Sequence, residues 1–413
     1  MTTINTSRSS SAFSLPDGAP SAAHATLKLL LRIKHGTLTV KLPDGSVQRF
    51  GSGQAPQASL HLLNWNVCSA ALKSGDIGFA ESYIAGDWTT PHLTELLQVF
   101  ILNRKEVEDV IYGTWLGRFA YRIKHLLNRN TKANSQKNIH AHYDLGNAFY
   151  ELWLDGTMNY SSAIFETPET SMKDAQHAKV RRALRMTQVK PGDRVLEIGC
   201  GWGALAEKAA KEFDANVVGV TLSTEQLEWA QRRMQREGVA EKADLRLQDY
   251  RDIGKTTQDA PFDAICSIEM VEAVGREYWP EYFQTVHRLL KPGGYACIQS
   301  IVIADGLFER YLTSTDFIQQ YVFPGGCLPC PKEFRAQVAA AGLDLMDEFS
   351  FGQDYAHTLL LWREQFVAQE AHVLQLGFDR RFIRIWEFYL SYCEAAFLEG
   401  NTDVVQYTLR KPA

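Results

Sequence analysis

The sequence predicts an α/β protein built on a doubly wound, mostly parallel sheet and preceded by a smaller α+β unit. Three observations lead there. From about residue 170, the short apolar runs RVLEIGC, NVVGVTL, DLRLQD, FDAICSIE and YACIQSI alternate with helical stretches near 203–213, 223–237 and 277–290. Strands alternating with helices imply a parallel sheet covered on both faces. The first run passes straight into a glycine-rich turn, Glu197 to Gly203, where a helix opens. Earlier in the chain, LTVKLPDGSVQRF places two alternating segments around Pro43, Asp44 and Gly45, the pattern of a hairpin.

Taken in order, residues 1–24 are rich in Ser, Ala and Pro and read as a disordered tail. Residues 25–112 form the α+β unit: the hairpin, a helix over HLLNWNVCSAALKSG, then turns and a further helix, with no catalytic constellation. In residues 113–139, Trp115, Leu116, Phe119, Ile123, Leu126 and Leu127 recur at helical spacing. Arg118, Arg122, Lys124, Arg129, Lys132 and Lys137 meet no acid there, so the segment reads as a basic amphipathic linker helix, suited to a membrane surface or docked on its own protein. Residues 140–413 carry the large sheet. After Ile301 the alternation gives way to an aromatic stretch (Phe308 to Phe323), a helix near 331–342, the strand LDLMDEFSFG, two long helical stretches between Thr358 and Glu399, and a last strand VVQYTLRK.

Composition narrows the function. Among 413 residues, 45% are hydrophobic, which excludes disorder of the whole chain, and 29 Gly with 7 Cys exclude collagen-like and disulfide-framework proteins. A net charge of −5 argues against wholesale nucleic-acid binding. No run approaches the roughly 18–20 apolar residues that cross a bilayer, and the start lacks the apolar region of a signal peptide. The odd cysteine count reads as reduced cytosolic thiols; Cys327 and Cys330 read as part of an ordinary turn, and no metal site is expected.

The glycine loop alone is ambiguous, because Gly199, Gly201 and Ala204 also fit the dinucleotide pattern. The second strand decides: it ends Gly219-Val220-Thr221-Leu222-Ser223, without the acid that a nicotinamide ribose requires. E-x-G-x-G-x-G after a strand resembles motif I of the class I S-adenosylmethionine (SAM) methyltransferases. The backbone turn and helix N-terminus suit an anionic group, and Glu197 suits a cationic centre. Ser223 and Gln226 also fit a helix capping box.

HYDLGNAFYELWLDGTMNYSSAIF, EIGCGWG, VVGVTLSTEQ, LQDYRD, MVEAVG, YVFPGGCLP and DYAHTLLLW, in that order from about residue 138, closely resemble the cyclopropane fatty acid synthases and their mycolic acid cousins. The preceding module is similar to the N-terminal domain of the bacterial phospholipid-modifying members. The resemblance implies a class I SAM-methyltransferase sheet with lipid-binding helical insertions. It implies SAM contacts at Tyr160, Ser161, Gly199, Gly201, Thr221, Leu222, Gln226, Asp249 and Tyr250, with Glu197 and Gly203 completing the loop. It also implies a bicarbonate that takes a proton from the carbocation, held by Ser162, Glu272, Gln299, the Ile301 backbone and Tyr355.

Glu272 is the first choice as key acid; Glu269 is an alternative but reads better as a strand-end residue near the adenosine. Cys393 coincides with a family cysteine for which the chemistry has no need, and His142 belongs to a family signature with a structural or acyl-adjacent role. Ser162, Gln299 and Ala273 depart from the family's usual Cys, His and His, which puts ring closure in question against a methylene or methyl branch. Phe149-Tyr150, Tyr311 to Phe323 and Phe388 to Phe397 either line an acyl tunnel or are plain core.

The expected activity is SAM-dependent methylation of the cis double bond of an unsaturated phospholipid acyl chain. The expected setting is a homodimer, peripheral at the cytoplasmic face of the membrane, with no nucleic acid. Two alternatives are a lipid-binding homologue without turnover and a small-molecule or RNA methyltransferase.

Overall fold

The computed structural model describes residues 16, 18–107, 145–255, 259 and 261–413. The basic segment 113–139 and His142 lie outside these residues. The chain divides into two compact units, Met1–Gly117 and Arg118–Ala413.

In the first unit, helix α1 (Ser21–Leu30) follows Pro20 and buries Ala23, Leu27 and Leu30 on one face. The stretch expected to stay disordered to residue 24 is therefore helical from Ser21. Strands β1 (Thr37–Lys41) and β2 (Val47–Gly51) form the antiparallel hairpin. The Ser46 N–H and hydroxyl both donate to Asp44 Oδ1 (2.9 and 2.7 Å), which holds the turn. Residues 57–62, partly assigned to a helix from sequence, form β3 (Gln57–Leu62) with alternating burial, and α2 (Asn66–Ala85) begins only at Asn66. With β4 (Trp88–Thr89) the sheet order is β2-β1-β3-β4, and α3 (Leu93–Leu102) follows.

The second unit opens with α4 (Asn147–Glu151) and α5 (Met172–Met186). Its sheet comprises β5 (Arg194–Ile198), β6 (Asn216–Thr221), β7 (Ala243–Leu247), β8 (Phe262–Ile268), β9 (Leu290–Ile303), β10 (Asp344–Ser350) and β11 (Thr402–Arg410). The connecting helices are α6 (Ala204–Glu212), α7 (Thr224–Arg236), α8 (Val271–Val274), α9 (Trp279–Leu289), α10 (Asp305–Thr313), α11 (Phe317–Tyr321) and α12 (Pro331–Ala340). Helices α13 (Gly352–Ala368), α14 (Glu370–Gln375) and α15 (Arg380–Leu398) precede the last strand, α13 starting six residues before the expected Thr358.

Strand order is β10-β11-β9-β8-β5-β6-β7. Pairs from β7 through β9 are parallel, while β11 runs antiparallel to both β9 and β10. Alternate residues face opposite sides. Leu196, Ile198, Val218 and Val220 pack with Trp279, Phe283 and Val286 of α9, whereas Val195, Val217, Ala264 and Cys266 pack with α5, α6 and α7. Both faces are thus buried at the centre of the sheet, the reason β5, β6 and β8 read as nearly continuous apolar runs.

The chain turns back in sheet order between β5 and β8, which opens a crevice beyond the C-terminal ends of these strands. Register carries chemistry to that edge: Ile198 pairs with Ser267, Ile268 with Gln299, and Gln299 with Gln406.

Behind the sheet, the Tyr407 ring stacks on Phe334 of α12 at 3.8 Å. The Tyr407 hydroxyl finds no partner among the described residues. Tyr407→Phe should therefore change stability by less than about 1 kcal/mol, while Tyr407→Ala should cost about 3–5 kcal/mol, read from urea unfolding.

Candidate functional site

The loop after β5 is built from three glycines with three different reasons. Gly199 (φ 83°) lies against Met270, whose sulfur a Cβ would meet at 2.4 Å. Gly201 (φ 49°) faces open space, with nothing within 4 Å of a Cβ. Gly203 (φ 81°) packs on α7, where a Cβ would meet that of Ala230 at 3.0 Å. Only the first two border the cavity above the loop; Gly203, expected to touch the cofactor, serves helix packing instead.

That cavity, about 130 Å³, is also lined by Tyr160, Ser161, Glu197, Thr221, Leu222, Gln226, Asp249 and Tyr250. These are the other SAM contacts expected from sequence. Glu197 is 4% exposed and its Oε2 lacks a partner among the described residues. Burial pushes its carboxyl up to about 8. An unpaired acid at a cavity wall is relieved by a cationic ligand, so the site fits the sulfonium and ammonium groups of SAM.

Polar partners order the rest of the wall. Thr221 Oγ1 donates to Gln226 Oε1 (3.0 Å), and Ser223 Oγ accepts the Gln226 N–H (3.3 Å). Only half of the expected capping box forms, because the Gln226 side chain turns to Thr221. Arg251, which sequence reading missed, binds both carboxylate oxygens of Asp249 (2.9 and 2.6 Å). Its signal was the D-x-R spacing in LQDYRD. Lys179 was missed too. It is fully buried, donates to Ser161 Oγ at 2.5 Å, and is lowered by burial to about 8.

A second, mainly apolar cavity of about 200 Å³ adjoins the first, sharing Tyr160, Glu269 and Ala273. Tyr311, Phe323, Tyr389, Tyr392 and Phe397 form its walls, so two of the three aromatic stretches line a cavity. The third does not: Phe149 packs among Tyr150, Trp153, Phe366, Phe378, Phe382 and Trp386 as core. The Tyr160 and Tyr389 hydroxyls meet at 2.8 Å. Cys393 also lines this cavity, but burial drives its thiol far up and away from the thiolate, so it is wall and no nucleophile.

At the junction stand two carboxyl groups. Glu269 Oε1 accepts the Ser162 N–H (2.9 Å) and the Gln299 amide Nε2 (2.8 Å), while its Oε2 accepts the Tyr355 hydroxyl (2.7 Å). Three of the groups expected to hold bicarbonate, Ser162, Gln299 and Tyr355, thus converge on the side chain of Glu269 instead. Glu269 is the strand-end residue expected, one past β8 and on the wall of the SAM cavity, and its carboxylate also borders the apolar cavity.

Glu272 Oε1 accepts the Ile301 N–H at 2.5 Å, and its Oε2 meets no partner among the described residues. Burial, then repulsion from Glu269, pushes Glu272 up to about 8. Gln299 is itself held: its Oε1 accepts from Gln406 (3.0 Å), whose Oε1 accepts from Arg182 (2.8 Å), which is paired with Asp347 (2.8 Å). The Cys327 N–H donates to the Glu272 carbonyl (2.8 Å), and Cys327 and Cys330 are free thiols at the turn before α12.

Residues 130–407 match the family model of mycolic acid cyclopropane synthetase. The chain is 36% identical over 404 residues to tuberculostearic acid methyltransferase UfaA1 of Mycobacterium tuberculosis, covering 95% of this chain and 92% of that one. It is 34% identical to cyclopropane-fatty-acyl-phospholipid synthase of Escherichia coli, covering 86% and 88%. Among solved structures, mycolic acid cyclopropane synthase CmaA1 complexed with SAH and CTAB superposes with a TM-score of 0.62 at 32% identity, over 67% of this chain and 98% of that one.

Two outcomes test the site. Gly201→Val places a branched side chain in the SAM cavity; affinity for SAM should fall on the order of 100-fold by calorimetry, with a stability loss of about 1–2 kcal/mol from the left-handed backbone. Glu272 keeps its proton up to about pH 8, whereas a free glutamate loses it near 4.5. The folded state binds more protons in that window, so stability is full below it and declines as pH rises through it. Urea midpoints at pH 5 and pH 8 should show Glu272→Gln removing a slope of about 1 kcal/mol per pH unit.

Proposed function

The chain belongs to the mycolic acid cyclopropane synthetase family of SAM-dependent methyltransferases, and from that premise we propose that it transfers the SAM methyl group to the cis double bond of an unsaturated phospholipid acyl chain. The observation that carries this reading is the meeting of the SAM cavity with an aromatic-walled apolar cavity at Tyr160, Glu269 and Ala273. A carbon-carbon double bond is a feeble nucleophile, so its methylation requires a strong electrophile and exclusion of water. SAM supplies the electrophilic methyl group. The chain supplies a mainly apolar cavity beside the SAM cavity, ring faces that suit a cationic centre, and a carboxyl pair where charge develops. The name of the Escherichia coli relative supports a phospholipid acyl chain as substrate.

Two products are open to such a cation: a cyclopropane ring or a methylene or methyl branch. Gln299, Ser162 and Ala273, together with a relative named as a tuberculostearic acid methyltransferase, favour the branch as the second reading. Bicarbonate as proton acceptor would compete with Glu269 for Ser162, Gln299 and Tyr355.

The acyl chain must be reached at a membrane surface, and no helix among the described residues is long and apolar enough to cross a bilayer. The acid-free segment with Arg118, Arg122, Lys124 and Arg129 supports docking on anionic lipid, each charge adding about 1 kcal/mol at low salt.

Incubation with methyl-labelled SAM and mono-unsaturated phospholipid vesicles containing anionic lipid tests the reading. Label should enter the acyl chains, and transfer should weaken as salt rises. Fragmentation in the mass spectrometer then separates ring from methylene. Binding of SAM and lipid without transfer, or transfer only to soluble small molecules or RNA, would overturn it.

A further inference from the structure

We propose that Glu269 is the proton acceptor of this reaction, a carboxylate supplied by the chain itself where the family resemblance implies a bound bicarbonate. The inference rests on the proposed acyl methylation.

The geometry is specific to an anion. A backbone N–H, an amide NH2 and a phenol, from Ser162, Gln299 and Tyr355, all point at the two oxygens of one carboxylate. The amide orientation follows from the network: Gln299 Oε1 is taken by the Gln406 amide, which leaves Nε2 for Glu269. A carboxylate offers about four lone-pair positions. Oε1 uses two and Oε2 one, so a position remains on Oε2, on a residue that lines both the SAM cavity and the acyl cavity.

The backbone is arranged to hold it there. Glu269 has φ 54°, rare for a residue with a side chain, and its N–H is fixed by the Gln299 carbonyl at 2.8 Å. That turn directs the side chain to the junction of the cavities.

Glu272 is the poorer site for a negative charge: only the Ile301 N–H donates to it, its Oε2 meets no partner among the described residues, and burial with repulsion from Glu269 favours its protonated form. Its neighbour repels a second negative charge, and a neutral Glu272 beside an ionised Glu269 is the arrangement like charges at close quarters enforce. Burial raises Glu269 too, but three donors and Lys179 oppose that rise, so of the two carboxyls it is the one better equipped to hold the negative charge.

The step balances. Once the methyl carbon has bonded to one alkene carbon, the adjacent carbon is cationic. Glu269 Oε2 takes a proton from the added methyl. The electron pair of the broken C–H bond becomes the third C–C bond of the ring. Where a hydride shift has first moved the cation to the methyl-bearing carbon, the same pair becomes the C=C bond of a methylene. The proton leaves Glu269 for water after the product departs.

Two variants and one binding measurement test this. Glu269→Gln keeps size and loses basicity; Glu269→Gly suits φ 54° and exposes the three donors. In buffer stripped of carbonate, the wild type should turn over at its full rate, and 13C-bicarbonate should show no saturable binding by NMR. Glu269→Gln should lose about 100-fold or more in turnover while keeping SAM affinity. Glu269→Gly should bind 13C-bicarbonate and regain at least about tenfold in rate when it is added. A wild type that binds bicarbonate or depends on it, or a Glu269→Gln variant within tenfold of wild type, would overturn the assignment. Absence of any acyl methylation by the wild type would instead refute the proposed function, while bicarbonate binding to Glu269→Gly and not to wild type would still place the carboxylate in the anion position.

Discussion

The catalytic unit depends on keeping one carboxylate, that of Glu269, in a place where water is scarce. A charge withdrawn from water is tolerated only when fully hydrogen-bonded, since each missing partner leaves desolvation unrepaid. The chain meets this demand from three directions: the Ser162 backbone ahead of α5, Gln299 on β9, and Tyr355 on α13. Burial still raises Glu269, and the three donors with Lys179 oppose it. Segments far apart in sequence are thereby tied to one point, and misplacing any of them would leave a charge unpaired.

The sheet explains why this is possible. Opposite winding on either side of β5 and β8 gives two covered faces and one open edge, and the register of β8, β9 and β11 delivers Glu269, Gln299 and Gln406 to that edge side by side. The antiparallel β11 matters here. It brings Gln406 opposite Gln299, and through it Arg182 and Asp347, so a surface ion pair orients an amide in the core. Arg182 also lies over the Phe349 ring at 4.0 Å, which fixes the outer end of the relay.

Much of this was legible in the sequence, for identifiable reasons. The inner strands β5, β6, β8 and β11 showed themselves because both faces are buried there, and the SAM loop because sharp turns and close approach leave only glycine. What stayed hidden depends on direction. Glu269 stands one residue past a strand, and its aim is set by a positive φ and by donors 107, 30 and 86 residues away. No local pattern encodes that. Lys179 and Arg251 were passed over because cations are ordinarily solvated; only the fold shows them buried against Ser161 and Asp249. Gly203 was misassigned because proximity in the motif does not distinguish a glycine that meets a ligand from one that lets helices approach.

The three departures from the usual family pattern make sense together once Glu269 is placed. A histidine at 299 would titrate near neutrality and change the charge beside the carboxylate, whereas Gln299 presents a neutral N–H donor at every working pH and passes its oxygen to Gln406. At 162 the contribution to Glu269 is the backbone N–H, and the Ser162 hydroxyl turns to the Ala163 carbonyl at 3.0 Å, so a thiol there would add nothing to this carboxylate. Ala273 borders both cavities, and its small side chain leaves room at the junction that a larger ring would fill. With a carboxylate already tethered at the site, none of the three positions has to bind a diffusible anion: Ser162 and Gln299 keep the donors that Glu269 uses, and Ala273 keeps the junction open.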